Sequence, residues 1–399
     1  MLCGCDEMIS NFKFVDLFAG IGAFHIALES LGGECVFAAE IDKDAVETYQ
    51  ENFNMDAYCD MFKVDAKDIP EHDVLCAGFP CQAFSQGGHM LGFADTRGTL
   101  FFEIERILSE HKTKYIILEN VKHLVNHDGG RTFEVIKTKL QELGYILTAD
   151  PLILSPHQFG IPQRRERLFI IGVHKSVFED LFEVAPSFLS FVYPTSAAST
   201  DVYSLLDSDV STSYSITDYE LKVLSAWNEF IRNVGKFSFP LMFDEFGLDY
   251  DVSNAVEWKR KFILNNRALY LSNKEFINSW SCKWCVSDFK LRDRCLEWQA
   301  GTSVNSVFDC LIQLRQSGIR CKKPDYYPTL VAMVQTPIIG KLKRRLTPRE
   351  AARLQSFPDT YKLNSSDQKA FKQLGNSANV EVIKYVALQL FANTNGIIL

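Results

Sequence analysis

The sequence predicts an α/β fold, a mostly parallel sheet with helices on both faces, together with a smaller second domain. Three observations lead there. Short apolar runs alternate with segments of helical spacing through the first part of the chain, that texture is lost past about residue 185, and a compact pattern returns from about 326. Strands that alternate with helices imply crossover connections and parallel strands buried from both sides. A length of 399 residues allows one large core and a smaller one.

The elements follow in order. Phe14-Val15-Asp16-Leu17-Phe18 is a short apolar strand that runs into Ala19-Gly20-Ile21-Gly22, after which Phe24, Ala27, Leu28 and Leu31 recur at helical spacing until Gly32-Gly33 stops them. The alternation continues with strands near 34–40, 74–79 and 115–121 and helices near 43–53, 99–111 and 132–144. Ser and Thr then crowd positions 187–217, and the tryptophans follow between 227 and 298. Thr347-Pro348-Arg349-Glu350 supplies an N-cap, a first-turn proline and a capping-box glutamate for a helix, and Val380, Ile383, Val386 and Leu390 mark the apolar face of another near 379–392. The expected division is 1–185, 186–325 and a return to the first domain over 326–399, without internal repeats or low-complexity tracts.

Composition narrows the function classes. A formal net charge of -8 argues against a surface that clings to nucleic acid everywhere, so any basic binding face has to be local. Eleven unevenly spaced cysteines fit reduced thiols rather than a disulfide framework. No secretory signal and no uncharged apolar run of membrane-spanning length is evident, and the expectation is a soluble, cytoplasmic protein with no membrane contact.

The glycines after the first strand let backbone approach a ligand closely. Glu40 ends the second strand about 20 residues later, where a carboxylate can accept hydrogen bonds from a ribose. The three-glycine dinucleotide fingerprint is absent, and a nucleoside without pyrophosphate, such as S-adenosylmethionine, fits better than NAD. Asp60 could take an adenine amine, or be a solvated loop aspartate.

Gly78-Phe79-Pro80-Cys81-Gln82-Ala83-Phe84-Ser85 places Cys81 on a loop at a carboxyl strand end, where sites of open α/β sheets lie. A thiol presented there can ionise and attack, whereas Cys76, inside the strand, is inert core. Gly87, Gly88, Gly92 and Gly98 suit a loop that closes over a substrate. Ile116-Ile117-Leu118-Glu119-Asn120-Val121 brings a carboxylate to the same rim. Leaving an apolar strand, Glu119 could have a raised pKa and donate a proton to a ring nitrogen, or it could be a helix cap or a solvent-facing acid.

In this order the motifs resemble the bacterial DNA cytosine-5 methyltransferases, especially the short ones of restriction–modification systems, over about 12–175 and 326–392. The resemblance implies a Rossmann-like S-adenosylmethionine-dependent methyltransferase fold with a target-recognition domain over 186–325. It assigns Phe18, Gly20, Gly22, Glu40, Ile41, Asp60, Met61, Pro80 and Asn376 to the cofactor, with Glu40 on the ribose and Asp60 on the adenine. Cys81 is the implied nucleophile and Glu119 the cytosine-binding acid. Arg165 and Arg167, in Gln163-Arg164-Arg165-Glu166-Arg167, support the flipped base and its flanking phosphate. Gln82, Ser85, Arg97, Asn120 and Val121 are assigned to DNA. Arg345-Leu346-Thr347-Pro348-Arg349-Glu350 is similar to the segment that braces the recognition domain, and Gly375-Asn376-Ser377 to the family's final motif. The implied chemistry adds Cys81 to cytosine C6 while Glu119 holds N3, on a base rotated out of the duplex. Gly87 departs from members that fill the gap left by the base with a side chain.

Double-stranded DNA is the implied partner, with a cognate restriction endonuclease in the same system and a monomeric enzyme. Arg164, Arg165 and Arg167, then Arg320, Lys322 and Lys323, then Lys341, Lys343, Arg344 and Arg345 could neutralise phosphates, or be solvated faces. Trp280, Lys283, Trp284, Arg292, Arg294, Gln313 and Arg315 are candidate base readers between which the sequence does not choose. Cys282 and Cys285, with Cys295 and Cys310 downstream, lack zinc-finger spacing and no histidine lies near, so no metal is expected. The alternatives are a tRNA cytosine-5 methyltransferase of the same fold, whose Cys-Phe-Thr tripeptide is missing here, a non-catalytic DNA-binding methyltransferase-like regulator, and a dehydrogenase with a carbonyl-attacking cysteine.

Overall fold

The computed structural model describes residues 11–79, 100–181, 183–194, 201–330 and 336–394. Contacts divide the chain into one unit of Met1–Thr200 with Ala351–Leu399 and a second of Asp201–Glu350. These boundaries fall later than the 185/186 and 325/326 expected from sequence texture, the second because residues 338–345 pair into the second unit's sheet.

The first unit is built on β1 (Phe12–Leu17), β2 (Gly33–Ala39), β3 (Val74–Gly78), β4 (Tyr115–Val121), β5 (Tyr145–Leu147), β6 (Leu152–Leu154) and β7 (Arg167–His174). The order is β2-β1-β3-β4-β7-β5, with β6 also on β7. β1 is parallel to β2 and β3, and β3 to β4. β7 runs against β4, β5 and β6, so it alone is reversed. From β1 the chain steps outward to β2 and then back across to β3, which opens a crevice at the carboxyl ends of β1 and β3.

Each face of this sheet is covered by helices: α1 (Ala23–Glu29), α2 (Lys43–Phe53), α3 (Leu100–His111), α4 (Arg131–Glu142) and α5 (Lys175–Asp180) belong to the first pass of the chain. Val15, Leu17, Leu75, Ala77, Ile116 and Leu118 pack with Phe101, Ile104 and Ile107 of α3 and Ile136 and Leu140 of α4. The opposite face meets α1 and the C-terminal helix, where Phe391 sits 5.4 Å from both Phe12 and Tyr115, ring centroid to ring centroid.

The second unit has α6 (Asp218–Val234), α7 (Glu257–Ser272) and α8 (Lys274–Trp284) with strands β8 (Leu241–Met242), β9 (Cys295–Gln299), β10 (Leu311–Arg315), β11 (Gly318–Lys322), β12 (Ile338–Ile339) and β13 (Arg344–Arg345). Its sheet order is β13-β12-β10-β11-β9-β8. Trp227, Phe230 and Trp280 fill a core of its own. The capping box read in the sequence forms: Thr347 N–H donates to Glu350 Oε2 at 2.9 Å and Glu350 N–H to Thr347 Oγ1 at 3.2 Å. Buried Glu350 also holds both guanidinium nitrogens of Arg344, at 2.9 and 2.7 Å.

Helices α9 (Pro348–Leu354), α10 (Asp367–Asn376) and α11 (Val380–Phe391) close the chain. Asn379 caps α11 by accepting from Val382 N–H at 3.1 Å. Among the described residues no helix is long and apolar enough to cross a membrane, and no three His, Cys, Asp or Glu side chains gather as a metal-binding group. Cys282 and Cys285 are exposed, while Cys310 is buried.

Behind the β1–α1 turn, His25 stacks on Phe53 with ring centroids 3.8 Å apart and its Nδ1 lies 2.6 Å from Tyr49 Oη. Burial lowers the His25 pKa from 6.5 to about 4. The unfolded chain therefore binds the proton first as pH falls, and stability is lost between about 6.5 and about 4. This shift corresponds to roughly 3 kcal/mol. Thermal unfolding followed across that interval is expected to show a steep acid slope in the wild type and a flatter one in His25→Gln.

Candidate active site

The turn after β1 needs left-handed backbone at three points: Phe18 (φ 57°), Gly20 (φ 55°) and Gly22 (φ 80°). The two glycines are needed for different reasons. A Cβ on Gly22 would lie 2.3 Å from the Phe53 ring, whereas one on Gly20 would meet nothing within 4 Å. Gly20 leaves open space, and its N–H donates to Glu40 Oε2 at 2.8 Å. Glu40 Oε1 accepts from the N–H groups of Ile41 and Asp42, each at 2.8 Å. Three backbone donors thus hold one carboxylate at the end of β2.

These groups border a cavity of about 620 Å³. Of the residues expected at the cofactor, Phe18, Gly20, Glu40, Ile41, Asp60, Met61 and Asn376 line it, while Gly22 does not. Pro80 lies outside the described residues. Asp60 accepts from Phe62 N–H at 3.2 Å and so caps the short turn Met61–Lys63 while still lining the cavity. Ile41 and Phe62, 62% and 55% exposed, present apolar surface there that packing within the chain does not use.

Sequence reasoning missed Asp42, Phe62, Lys372 and Gln373, which line the same space. They follow from docking of α10 on α2: Lys372 Nζ meets Asp42 at 2.8 Å, Lys369 Nζ meets Asp44 at 2.8 Å, and Gln373 Nε2 donates to Asp44 O at 2.8 Å. No local signal could have paired segments more than 300 residues apart. Asp16 is a further buried acid below the turn. Burial first, and the charge of Glu40 next, push its pKa well above the ordinary carboxyl range.

At the other end of the cavity, Glu119 pairs in register with Gly78, where a Cβ would sit 3.8 Å from its Oε2. Arg167 Nε lies 3.1 Å from Glu119 Oε1. Burial raises the Glu119 pKa, and the charges of Arg167 and then Arg165 oppose that without cancelling it. The solvent-facing and cap readings of Glu119 give way to a carboxyl that is 12% exposed and paired with Arg167.

Asn120 Nδ2 donates to Phe79 O at 3.0 Å and its Oδ1 accepts from Val121 N–H at 2.8 Å. Its amide thus fixes the strand end that leads into 80–85. Arg165 is buried and donates from Nη2 to Gly375 O and Ser377 O, each at 2.8 Å. It anchors the C-terminal wall of the cavity. Cys81, Gln82, Ser85, Gly87 and Arg97 lie outside the described residues. One cavity therefore offers a carboxylate on a fixed loop with apolar flanks, suited to an adenosine, and an acid of raised pKa beside two arginines, suited to a ring nitrogen.

Comparison with known proteins agrees with this chemistry. The family described as C-5 cytosine-specific DNA methylase matches residues 12–392. The Type II methyltransferase M.HhaI of Haemophilus parahaemolyticus is 33% identical over 98% of this chain and 97% of its own length. The Type II methyltransferase M.NlaX of Neisseria lactamica is 34% identical over 97% of this chain and 98% of its own. Among solved structures, the Entamoeba histolytica methyltransferase EhMeth shares the fold with a TM-score of 0.58 at 17% identity, covering 96% of this chain and 98% of that one. The Spodoptera frugiperda DNMT2 mutant structure matches at 0.55 and 19%, covering 95% and 99%.

Two substitutions separate the roles of the turn and its anchor. Gly22→Ala is expected to destabilise by about 1–3 kcal/mol more than Gly20→Ala, because only the former overpacks against Phe53. Arg165→Met, which removes the nitrogen that serves both carbonyls, is expected to cost about 1.5–3 kcal/mol and to weaken S-adenosylmethionine binding. Urea unfolding and titration calorimetry check both.

Proposed function

The chain belongs to the C-5 cytosine-specific DNA methylase family, and from that premise we propose that it methylates C5 of cytosine in a specific double-stranded DNA sequence, with S-adenosylmethionine as donor. The observation that carries the reading is the joining of Glu40 and Glu119 by one cavity.

The residues present fit the donor. Gly20 leaves open space beside the cavity, Glu40 offers a carboxylate already oriented by three N–H groups, and Phe18, Ile41 and Phe62 supply apolar flanks. Asp60 and Asn376 complete the polar rim. Bound there, S-adenosylmethionine would supply an electrophilic methyl group on its sulfonium.

Cytosine C5 is a poor nucleophile until C6 is attacked. Cys81 thiolate adds to C6, and the electron pair displaced toward N3 is met by the proton that Glu119 holds. Its raised pKa keeps that proton available at higher pH than an ordinary carboxyl. Arg167 fixes the carboxyl's orientation and Arg165 the wall beside it. C5, now enamine-like, is the atom that would take the methyl group, with S-adenosylhomocysteine as the leaving thioether. Loss of the C5 proton to a base then expels Cys81 and returns the N3 proton to Glu119. Asn120 holds the carbonyl of Phe79, the last described residue before the segment that carries Cys81. The target base has to leave the stack to reach this cavity.

The second unit supplies sequence recognition on this reading. The relatives named Type II methyltransferases favour a modification role, with a cognate endonuclease acting on the same sequence rather than in contact. The enzyme works as a monomer in the cytoplasm.

Expression in a methylation-free bacterial host followed by bisulfite sequencing of the plasmid tests the proposal. Protected cytosines in one recurring context are expected, and they should vanish with Cys81→Ser. Complete conversion with soluble, donor-binding protein would contradict it. Glu119→Gln is expected to lower kcat by about 10²–10⁴-fold. Because the acid form of Glu119 is depleted as pH rises through its raised pKa, the wild-type rate falls on the basic side, and Glu119→Gln loses that limb.

A further inference from the structure

The second unit's sheet has two unlike faces. Leu296, Trp298, Ile312, Leu314, Ile319 and Cys321 of β9, β10 and β11 turn into the apolar core. Strand alternation places Glu297, Gln299, Gln313, Arg315, Arg320 and Lys322 on the other face. The register sets Gln313 opposite Arg320, and Arg320 opposite Glu297.

Glu297 organises this group. Arg320 Nε lies 3.1 Å from its Oε2, Arg315 Nη2 donates to the same oxygen, and Gln299 Nε2 donates to Oε1. Burial works to raise the Glu297 pKa, but the hydrogen bond and charge of Arg320, with the charge of Arg315, outweigh it and keep the carboxylate ionised. Each guanidinium carries five N–H donors and spends one nitrogen on Glu297, so both forks retain donors. Glu297 is one carboxylate between two guanidiniums, in a chain whose formal net charge is -8. This is the local basic surface that an acidic DNA-binding chain requires.

The other candidate readers of this unit also make contacts within it, and Trp280 is buried by them. Trp280 Nε1 donates to Ala226 O at 2.7 Å. Lys283 and Trp284 both hold Glu229, at 2.7 and 2.8 Å. Arg294 donates to Phe289 O at 2.9 Å and Asp244 at 3.1 Å, and Arg292 lies 3.2 Å from Asp293. β10 and β11, in contrast, are the central antiparallel pair of the six-stranded sheet, and their hairpin runs past β12, which pairs only Leu311 and Ile312, to a turn at exposed Gln316 and Ser317. Side chains carried at such a hairpin end can reach base edges in the major groove, where arginine recognises guanine and glutamine recognises adenine by paired hydrogen bonds.

Resting on the reading of the chain as a DNA methyltransferase, we propose that the β10–β11 face reads duplex DNA: Gln313, Arg315 and Arg320 contact base edges, Lys322 contacts a phosphate, and Glu297 is the positioning residue that presets both guanidiniums.

The test is the sequence context of 5-methylcytosine, read by bisulfite sequencing in the methylation-free host, together with KM for duplex DNA. Gln313→Ala and Arg315→Ala are expected to methylate contexts that differ from the wild-type site at one position, with discrimination reduced roughly 5- to 150-fold. Lys322→Ala is expected to keep the context while KM rises and its salt dependence falls by about one unit of slope. Glu297→Gln is expected to relax context at unchanged donor affinity, which loss of fold would not spare. Gln313→Ala breaks no ion pair, so its folded state, verified by circular dichroism and donor binding, keeps the test decisive. Wild-type context and KM in both Gln313→Ala and Arg315→Ala would overturn the proposal alone. A wild-type enzyme that leaves no 5-methylcytosine in any context would overturn the parent reading and this one with it.

Discussion

A carboxyl group is held out of water at the end of β4, and much of the first unit's architecture follows from keeping it there. Burying Glu119 disfavours its charged form, and the Arg167 guanidinium at 3.1 Å offsets part of that cost. A second buried guanidinium, Arg165, then needs acceptors of its own. It finds them in the carbonyls of Gly375 and Ser377, contributed by a segment more than 200 residues later. The return of the C-terminal helices to the first sheet is thus tied to the electrostatics of the acid.

The cofactor end applies the same logic with backbone in place of arginine. The Glu40 carboxyl at the cavity rim is satisfied by three N–H groups from two turns, so its position is set before any ligand arrives. The left-handed residues Phe18, Gly20 and Gly22 aim one of those donors. Aromatic packing of His25, Tyr49 and Phe53 fixes the turn from behind. Pocket shape at this end is therefore inherited from the core.

Much of this was legible in the sequence because strand–helix alternation is a local signal. The elements from Phe12 to Glu142 fall within a few residues of where periodicity puts them, and the capping pair Thr347 and Glu350 forms as spacing implies. Glycine chemistry was legible in type but not in cause: that Gly22 is required by the Phe53 ring depends on a contact between separate helices. The late boundary of the second unit was not legible, since Ile338–Ile339 and Arg344–Arg345 are two-residue strands too short to show a period. The cavity wall of α10 was hidden for the opposite reason, being entirely long-range. Asn120, read as a DNA contact by resemblance, has its amide engaged with Phe79 and Val121 backbone.

The central claim is that Cys81 and Glu119 act on one cytosine ring through a covalent adduct, and a trapping experiment addresses it directly. Fluorine at C5 cannot leave as a proton does, so an enzyme that has added to C6 and methylated C5 is held on the DNA. Incubating the protein with S-adenosylmethionine and long duplex DNA made with 5-fluorocytosine is expected to give a denaturation-resistant complex whose mass includes the transferred methyl group and whose cross-linked peptide contains Cys81. Methylation of ordinary DNA with no such complex, or a complex formed through another residue, would contradict the account.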